Sequence, residues 1–423
     1  MHILTGLSKR NQRQYVAEAA LEYLISILVT GSFLATLTKQ LGFSDSLTGI
    51  LSSIVSLGCL FQLFSLSVRR IRVKKTVIVL SIMNQMLFLL LYVVPTTNFS
   101  KQMKTILFVA LILSAYILYN FAHPKKISWL MSLVDNKHRG SFTANKEIIS
   151  LLSGMVFSYF MGSLIDRFAE AGEMRTAFSL SAITIFLLCL LHTLTMCFTT
   201  EREDTQAKSQ NIKSAIADLF QDKKVLQVSL LFVIYHISTG IAAPFYGTYQ
   251  IGELGLNLKF VSAMAMTGSI ARILVSRAWG RYADKNSFAG MIIKCFLFFA
   301  LAQGCVIFTT PKTGKMLFTL YYIFHGIALG GINSALINLI FDYTPQEKRA
   351  DALAVTQAIA GLTGFLTTLV ISPLVSCIQF NGNKVLGIPI FAQQFVTVLA
   401  LLFTILAIIY TKYILLKKGD GKT

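Results

Sequence analysis

The chain has 423 residues, of which 54% are hydrophobic and 13% charged, and it carries a formal net charge of +19. About 25% of the residues of a soluble domain are charged, so this composition excludes a soluble globular protein and indicates one that lies in lipid. The cations do not indicate a nucleic-acid-binding protein, because they cluster in loops beside apolar segments and are not interleaved with a base-stacking surface.

The predicted elements are twelve apolar segments, each long enough to cross a bilayer. About 20 apolar residues span the hydrocarbon as a helix, and only a helix satisfies its own backbone hydrogen bonds there. These segments, numbered span 1 to span 12, are predicted at 14–38, 47–68, 76–94, 105–133, 148–166, 177–198, 226–251, 258–278, 288–309, 316–341, 350–376 and 389–412. The sequence therefore predicts an all-α membrane protein.

Lys and Arg are unequally distributed between alternate loops. The N-terminus, every second loop and the C-terminal tail hold roughly 25 of them, and the other loops hold about 9. Cationic loops stay on the cytoplasmic side, so both termini are predicted to be cytoplasmic in the cell membrane. Span 1 lacks a small-residue cleavage site, and we expect it to remain as a helix rather than to act as a signal peptide.

A polar segment at 199–224 divides the chain into two sets of six spans. It is predicted to be a cytoplasmic linker with an amphipathic stretch at 212–220, between domains at 1–198 and 225–423.

Two short sequences recur at nearly the same offset. LGFS at 41–44, before span 2, is echoed by LGLN at 254–257, before span 8. KHRG at 137–140, after span 4, is echoed by EKRA at 347–350, after span 10. Such echoes indicate a duplication, and many transporters are built from internal repeats.

The loop between spans 8 and 9 reads GRYADK at 280–285 and fits the pattern G-x-x-x-D-[R/K]. With this motif, the repeat and the twelve spans, the chain resembles the major facilitator superfamily over essentially its whole length. The resemblance implies two pseudo-symmetric six-helix bundles that rock around a central substrate site. The equivalent loop between spans 2 and 3, RRIRVKK at 69–75, has neither Gly nor Asp and departs from the family pattern.

The loop motif marks a candidate cytoplasmic gate. A carboxylate near a helix N-terminus is favoured by the helix dipole, and neighbouring cations could hold the two bundles together. The gate candidates are Gly280, Asp284, Lys285, Arg139 and Arg349. Arg139 and Arg349 could instead be ordinary cationic anchors of cytoplasmic loops.

Charged residues inside spans cost about 2.5–3.5 kcal/mol each and usually mark function. Glu22 of span 1 and Lys126 of span 4 are both about 12 Å from the cytoplasmic ends of their helices. The resemblance implies that they form a pair bordering the central cavity, since proton-coupled sugar porters of the superfamily place an acid on helix 1 against a base on helix 4. The pair could also be a static bridge, and Glu18 and the lysines at 125 and 126 could extend to the interface, which is what we expect for Glu18.

Polar side chains form stripes on spans 4 and 7 and recur on span 10. On each of the first two spans they fall within about 80° of the helix circumference. They are candidates for substrate contacts, although interhelical hydrogen bonds would explain them equally well. The residues are Tyr116, Tyr119 and His123 beside Lys126; His236, Thr239, Tyr246 and Gln250, with Pro244 interrupting their helix; and His325 and Asn333.

No catalytic or nucleotide-binding pattern is present, and the Cys and His residues are too scattered to indicate a metal site or a cofactor. The chain is therefore predicted to be a secondary active transporter, not an enzyme, that moves a small polar organic solute by alternating access with a coupling proton. Efflux by proton antiport is the alternative; span 5 lacks the Gly-Pro signature of the efflux families that resemble this chain, which favours symport. A non-transporting sensor or assembly protein on the same fold is a further alternative. We expect a monomer in the lipid bilayer, with no nucleic-acid partner.

Overall fold

The structure is a computed structural model that describes residues 2–67, 73–134, 139–201, 222–344 and 349–416. Most of the predicted linker, with its amphipathic stretch, lies outside these residues. Parts of the loop at 69–75 and of the echoes at 137–140 and 347–350 also lie outside them.

Twelve helical segments of the described chain are long and apolar enough to cross a membrane, as predicted. Span 1 consists of two helices, because the chain bends where Gly31 has a φ of +54°. The spans lie at His2–Leu28 with Gly31–Gln40, Asp45–Ser67, Val73–Val93, Lys101–Ser132, Arg139–Glu170, Met174–Phe198, Lys223–Ala242, Leu258–Lys285, Phe288–Ile307, Gly314–Tyr343, Arg349–Phe380 and Ala392–Tyr410.

Span 7 is interrupted near Pro244, as predicted. A 3₁₀ turn at Ala243–Phe245 follows its main helix, and the chain then continues through a short helix at Tyr246–Thr248 and a π-helical turn at Tyr249–Glu253. Proline lacks the backbone N–H that an α-helix needs at this position, so the change of helix type is the expected local response.

A small hairpin between spans 11 and 12 was not predicted. Strand β1 (Lys384–Val385) pairs antiparallel with strand β2 (Ile388–Pro389). The two turn residues, Leu386 and Gly387, have φ angles of +50° and +82°. A type I′ turn needs positive φ at both positions, and Leu is a poor sequence signal for it. For this reason the predicted start of span 12, at 389, is three residues too early.

The echoed sequences before spans 2 and 8 have the same local structure. Gly42 and Gly255 both have left-handed φ angles, +67° and +63°. The residue two positions later caps the following helix in each case: Ser44 Oγ accepts from the Leu47 N–H at 3.2 Å, and Asn257 Oδ1 accepts from Phe260 at 2.9 Å. The repeat is therefore visible in backbone conformation as well as in sequence.

The chain forms two compact units. The first holds residues 1–43, 64–210 and 257–262, and within it span 1 packs against spans 5 and 6, and span 3 against spans 4 and 6. The second holds the remaining residues, and within it span 7 packs against spans 11 and 12, and span 9 against spans 10 and 12. Adding six to each span number of the first unit reproduces the pairings of the second, which is the pseudo-symmetry expected from a duplicated six-helix bundle.

Candidate functional site

The main charged site lies inside the first unit, where one ammonium group contacts two carboxylates. Lys126 Nζ of span 4 lies 2.9 Å from Glu18 Oε1, and it also donates to Glu22 Oε2. Glu18 and Glu22 are one turn apart on span 1, so both carboxylates point to the same neighbouring helix. The structure therefore brings together the predicted partners Glu22 and Lys126 and adds Glu18 to them.

Two residues that the sequence analysis missed extend this site to spans 3 and 6. His192 Nε2 lies 3.1 Å from Glu18 Oε1, and Gln85 Nε2 lies 2.9 Å from the other ring nitrogen, His192 Nδ1. Both residues are buried. Their only sequence signal is that they are polar residues within apolar spans. We call the five residues Gln85, His192, Glu18, Lys126 and Glu22 the charged cluster.

The two carboxylates of the charged cluster differ in exposure. The Glu18 side chain is 2% exposed and that of Glu22 is 22% exposed. The expectation that Glu18 lies at the interface is wrong, because spans 4 and 6 bury its carboxylate and supply it with donors. Lys125 is also buried, and its ammonium lies 4.7 Å from the centre of the Phe121 ring. Glu22 is therefore the more accessible acid of the cluster.

The charged cluster carries a net charge of −1 when its imidazole is neutral, since two carboxylates face one ammonium. An isolated buried charge is costly in a low-dielectric interior. Binding of one proton would remove this charge. Lys146 of span 5 also interacts electrostatically with the cluster, and its ammonium lies 5.0 Å from the centre of the Tyr15 ring.

Carboxylate and imidazole groups also bind divalent metals, and one atom each of Glu18, Glu22 and His192 lie within 4.8 Å of one another. Lys126 donates to both of these carboxylates, so its ammonium already takes the position of a cation. We therefore assign no metal site here.

Several buried polar atoms near the charged cluster have no hydrogen-bond partner within the described part of the chain. They lie on spans 1, 3 and 4, and they are Gln14 Oε1, Tyr15 Oη, Gln85 Oε1 and His123 Nδ1. The His123 ring also contacts Tyr119, with 5.1 Å between the ring centres. Buried polar groups are normally satisfied, so these atoms are suitable partners for water or for the polar groups of a solute.

The span 7 candidates use most of their hydrogen-bonding groups within the second unit. Tyr246 Oη lies 3.2 Å from Thr397 Oγ1, and Gln250 Nε2 donates to Tyr322 Oη at 3.2 Å. Thr239 Oγ1 donates to the His236 carbonyl at 3.1 Å. Tyr246 and Gln250 therefore form interhelical hydrogen bonds, which is the alternative explanation for these polar residues. His236 and Thr239 remain partly exposed.

The two candidate residues on span 10 have different surroundings. The His325 ring stacks on Tyr321 at 5.2 Å with an interplanar angle of 15°, whereas Asn333 is exposed. Span 10 approaches span 8 closely at a glycine, because a Cβ on Gly326 would overlap the carbonyl oxygen of Gly268 on span 8. Span 10 thus contributes an aromatic contact and a tight helix crossing.

Among the side chains that the structure describes, the gate candidates make no hydrogen bond or ion pair with one another. Asp284 and Lys285 are exposed, as is Gly280, and within the described residues the Asp284 carboxylate has no hydrogen bond or ion pair. Arg349 Nε donates to the nearby Thr344 carbonyl at 3.2 Å, which is the local contact expected of a loop anchor. The Arg139 side chain lies outside the described part. The gate remains a prediction.

Comparisons with known proteins agree with this architecture. A family model described as Major Facilitator Superfamily matches residues 19–368. A variant of the nucleoside transporter NupG has a TM-score of 0.73 at 13% identity, with 95% of this chain and 99% of that chain covered. A D-xylose–proton symporter has a TM-score of 0.68 at 12% identity, covering 93% and 96% of the two chains. A bacterial homologue of the iron transporter ferroportin has a TM-score of 0.58 at 12% identity, covering 97% and 99%. A comparison with curated protein sequences gives no match.

The fold is therefore that of a multi-pass membrane transporter with twelve spanning helices. The chain belongs to the Major Facilitator Superfamily, because the family model matches well over half of its length.

Proposed function

We propose that the chain is a proton symporter for a small, uncharged polar solute, and that Glu22 is the residue that binds the coupling proton. The observation that carries the proposal is the sharing of one buried ammonium, that of Lys126, between two carboxylates of unequal exposure. Intramembrane ionisable residues commonly mark ion pathways and proton relays.

The geometry favours different roles for the two acids. Glu18 is buried and contacts both Lys126 and His192, so it serves as the permanent counter-ion of the ammonium. Glu22 shares the same ammonium but is partly exposed, so it can bind and release a proton. Loss of water favours the neutral form of a carboxyl group and a nearby cation favours the charged form. A movement that separates Glu22 from Lys126 would therefore promote its protonation, and their return would promote release.

The proposed substrate class is supported by the charges of the cluster and by polar atoms that have no partner among the described residues. A cluster with two carboxylates and one ammonium disfavours an anionic solute. Tyr15 Oη and His123 Nδ1 could instead bind hydroxyl groups. Neutral polyhydroxylated solutes fit these properties, and the nucleosides and D-xylose named for two proteins of similar fold belong to this chemical class.

The test is transport by the purified full-length protein in proteoliposomes, with labelled uridine and labelled D-xylose as probes. We expect an inward proton gradient to drive accumulation of at least one of them. Glu22→Gln should reduce accumulation to the level seen without a gradient, while exchange at equal concentrations on both sides is retained. Glu170→Gln, the same chemical change at an exposed position of span 5, should behave like the parent.

Gradient-driven accumulation by Glu22→Gln at the parental level would reject the role of Glu22. If the inward proton gradient instead drove the solute out of the vesicles, the protein would be an antiporter, which is the efflux alternative. If neither probe were transported or bound, the proposed substrate class would be wrong.

A further inference from the structure

His192 is the buried member of the charged cluster that the proposed symport does not use. It is 1% exposed, and both of its ring nitrogens have a hydrogen-bonding partner: Glu18 at Nε2 and Gln85 at Nδ1. The ring is therefore held between a carboxylate and an amide on two different spans.

The Gln85 amide can form a hydrogen bond with this ring whether the ring carries one proton or two. In the structure, the NH₂ group of Gln85 faces His192 Nδ1, so Nδ1 accepts a hydrogen bond from it. The single ring hydrogen of a neutral imidazole then lies on Nε2, which donates it to Glu18. Rotation of the amide by half a turn would place Oε1 against Nδ1, and Oε1 could then accept from a second ring N–H. Gln85 Oε1 is buried and has no hydrogen-bond partner among the described residues, so it is available for this bond. A half-turn of an amide changes donor and acceptor without changing shape.

In the second unit, the three equivalent spans are joined by uncharged residues. There Gln303 of span 9 donates to Ser238 of span 7 at 3.1 Å and accepts from Thr404 of span 12 at 2.8 Å. Spans 9, 7 and 12 are the pseudo-symmetric equivalents of spans 3, 1 and 6. Among the described residues, a network that contains a glutamine amide thus joins the same three spans in each unit, and in the first unit this network also contains an imidazole.

The net charge of the charged cluster depends on the protonation of both Glu22 and His192. With Glu22 protonated and His192 neutral, the charged cluster has no net charge; with Glu22 ionised, one proton on His192 gives the same result. We infer that His192 is a second proton-binding residue, occupied when Glu22 is ionised, and that Gln85 is its positioning residue. The step is a proton binding at Nδ1 with an N–H bond formed, and no other bond changes. The part of this inference that concerns coupling rests on the proposed symport, whereas the protonation of His192 does not.

Other charged groups belong to the charged cluster or interact with its members. Span 1 contributes Glu18 and Glu22, span 4 contributes Lys126 and span 5 contributes Lys146, while span 3 contributes the neutral Gln85. Glu18 is the group in hydrogen-bond contact with the ring, so its charge should have the largest effect on protonation.

The inference can be tested without transport, on the full-length protein labelled with ¹⁵N-histidine in lipid nanodiscs. The imidazole ¹⁵N resonances are followed as a function of pH, and the His192 signal is assigned by its loss in His192→Gln. In the parent, this signal should change from the singly to the doubly protonated form on acidification. In Glu18→Gln, proton binding by His192 should weaken by at least about tenfold, because the paired anion is removed. Glu170→Gln should leave the titration unchanged.

A second variant keeps the test decisive if His192→Gln does not fold. Gln85→Met removes both amide functions at similar volume, and only the His192 resonance should respond to it, which assigns the signal. A His192 ring that stays singly protonated over the whole range, or that titrates identically in Glu18→Gln, would overturn the inference. If His192 titrates as expected but no accumulation of uridine or D-xylose is seen, the proton site stands and the proposed symport fails.

Discussion

The pairing of Glu18 with Lys126 makes a quantitative prediction about stability. Two unit charges 2.9 Å apart attract each other by about 6 kcal/mol at an effective dielectric constant of about 20. Much of this attraction offsets the cost of burying the two ions. Removing one partner leaves a buried charge uncompensated and typically costs about 3–5 kcal/mol. We expect Lys126→Met to fall at the upper end of this range, since it leaves two carboxylates without their ammonium.

Replacing both partners should cost less than the single changes suggest. In Glu18→Met with Lys126→Met, the buried pair becomes apolar at similar volume, and Glu22 can take up a proton from its more exposed position. The expected coupling energy between the two changes is therefore at least about 2 kcal/mol.

Unfolding in mixed micelles with increasing dodecyl sulfate measures these free energies. The chain has 2 Trp, of which Trp129 lies in the first unit beside the core formed with Tyr15 and Met196. In a Trp279→Phe background, fluorescence would therefore report the unit that contains the charged cluster. Lys101→Met, at an exposed position of span 4, is the matched control and should change stability by no more than about 0.5 kcal/mol.

Additive effects of the two changes would contradict an interaction between Glu18 and Lys126. If the double variant lost the sum of the single losses to within about 0.5 kcal/mol, the two groups would not interact energetically. A Lys126→Met protein as stable as the Lys101→Met control would lead to the same conclusion.

Three further predictions concern topology, the gate and helix packing. In a background without native cysteines, an impermeant thiol reagent should label a cysteine at Asn98 but not one at Ser209 in intact cells; the reverse would show that the orientation is wrong. Asp284→Asn should change the ratio of inward-open to outward-open states without unfolding the protein, measured as accessibility of cavity cysteines, and equal accessibility in parent and variant would reject the gate. Gly326→Ala should lower the free energy of unfolding by about 1–3 kcal/mol, because the added Cβ overlaps the span 8 backbone. In the control Gly304→Ala, the added Cβ meets no atom within 4 Å, so the free energy of unfolding should not fall. Similar losses in both variants would contradict this packing.

The sequence predicted the elements whose cause is local. The length of an apolar run determines whether it can span a membrane, and Gly42 and Gly255 are needed where φ is positive, so both the spans and the echoed turns could be recognised. The hairpin between spans 11 and 12 escaped prediction because Leu386 takes a positive φ that its side chain does not favour.

The charged cluster was only half predictable. Glu22 and Lys126 were found because charged residues are rare in apolar spans and their depths match. The burial of Glu18 depends on which residues of spans 4 and 6 face it, and helical periodicity defines a face without naming the neighbour. His192 and Gln85 each have the appearance of an isolated polar residue, and only the packing of span 3 against span 6 joins them.

The same pattern of helix packing occurs in both units, but the polar residues that join the helices differ. In the second unit, Ser238, Gln303 and Thr404 join spans 7, 9 and 12 through uncharged hydrogen bonds. In the first unit, the equivalent spans 1, 3 and 6 are joined through Glu18, Gln85 and His192, with Lys126 of span 4 added. Neutral hydrogen bonds between membrane helices average only about 0.6 kcal/mol, yet they suffice to hold the second network. Helix packing alone therefore does not account for the costly charges of the first unit, and the proposed proton binding gives a reason for placing them there.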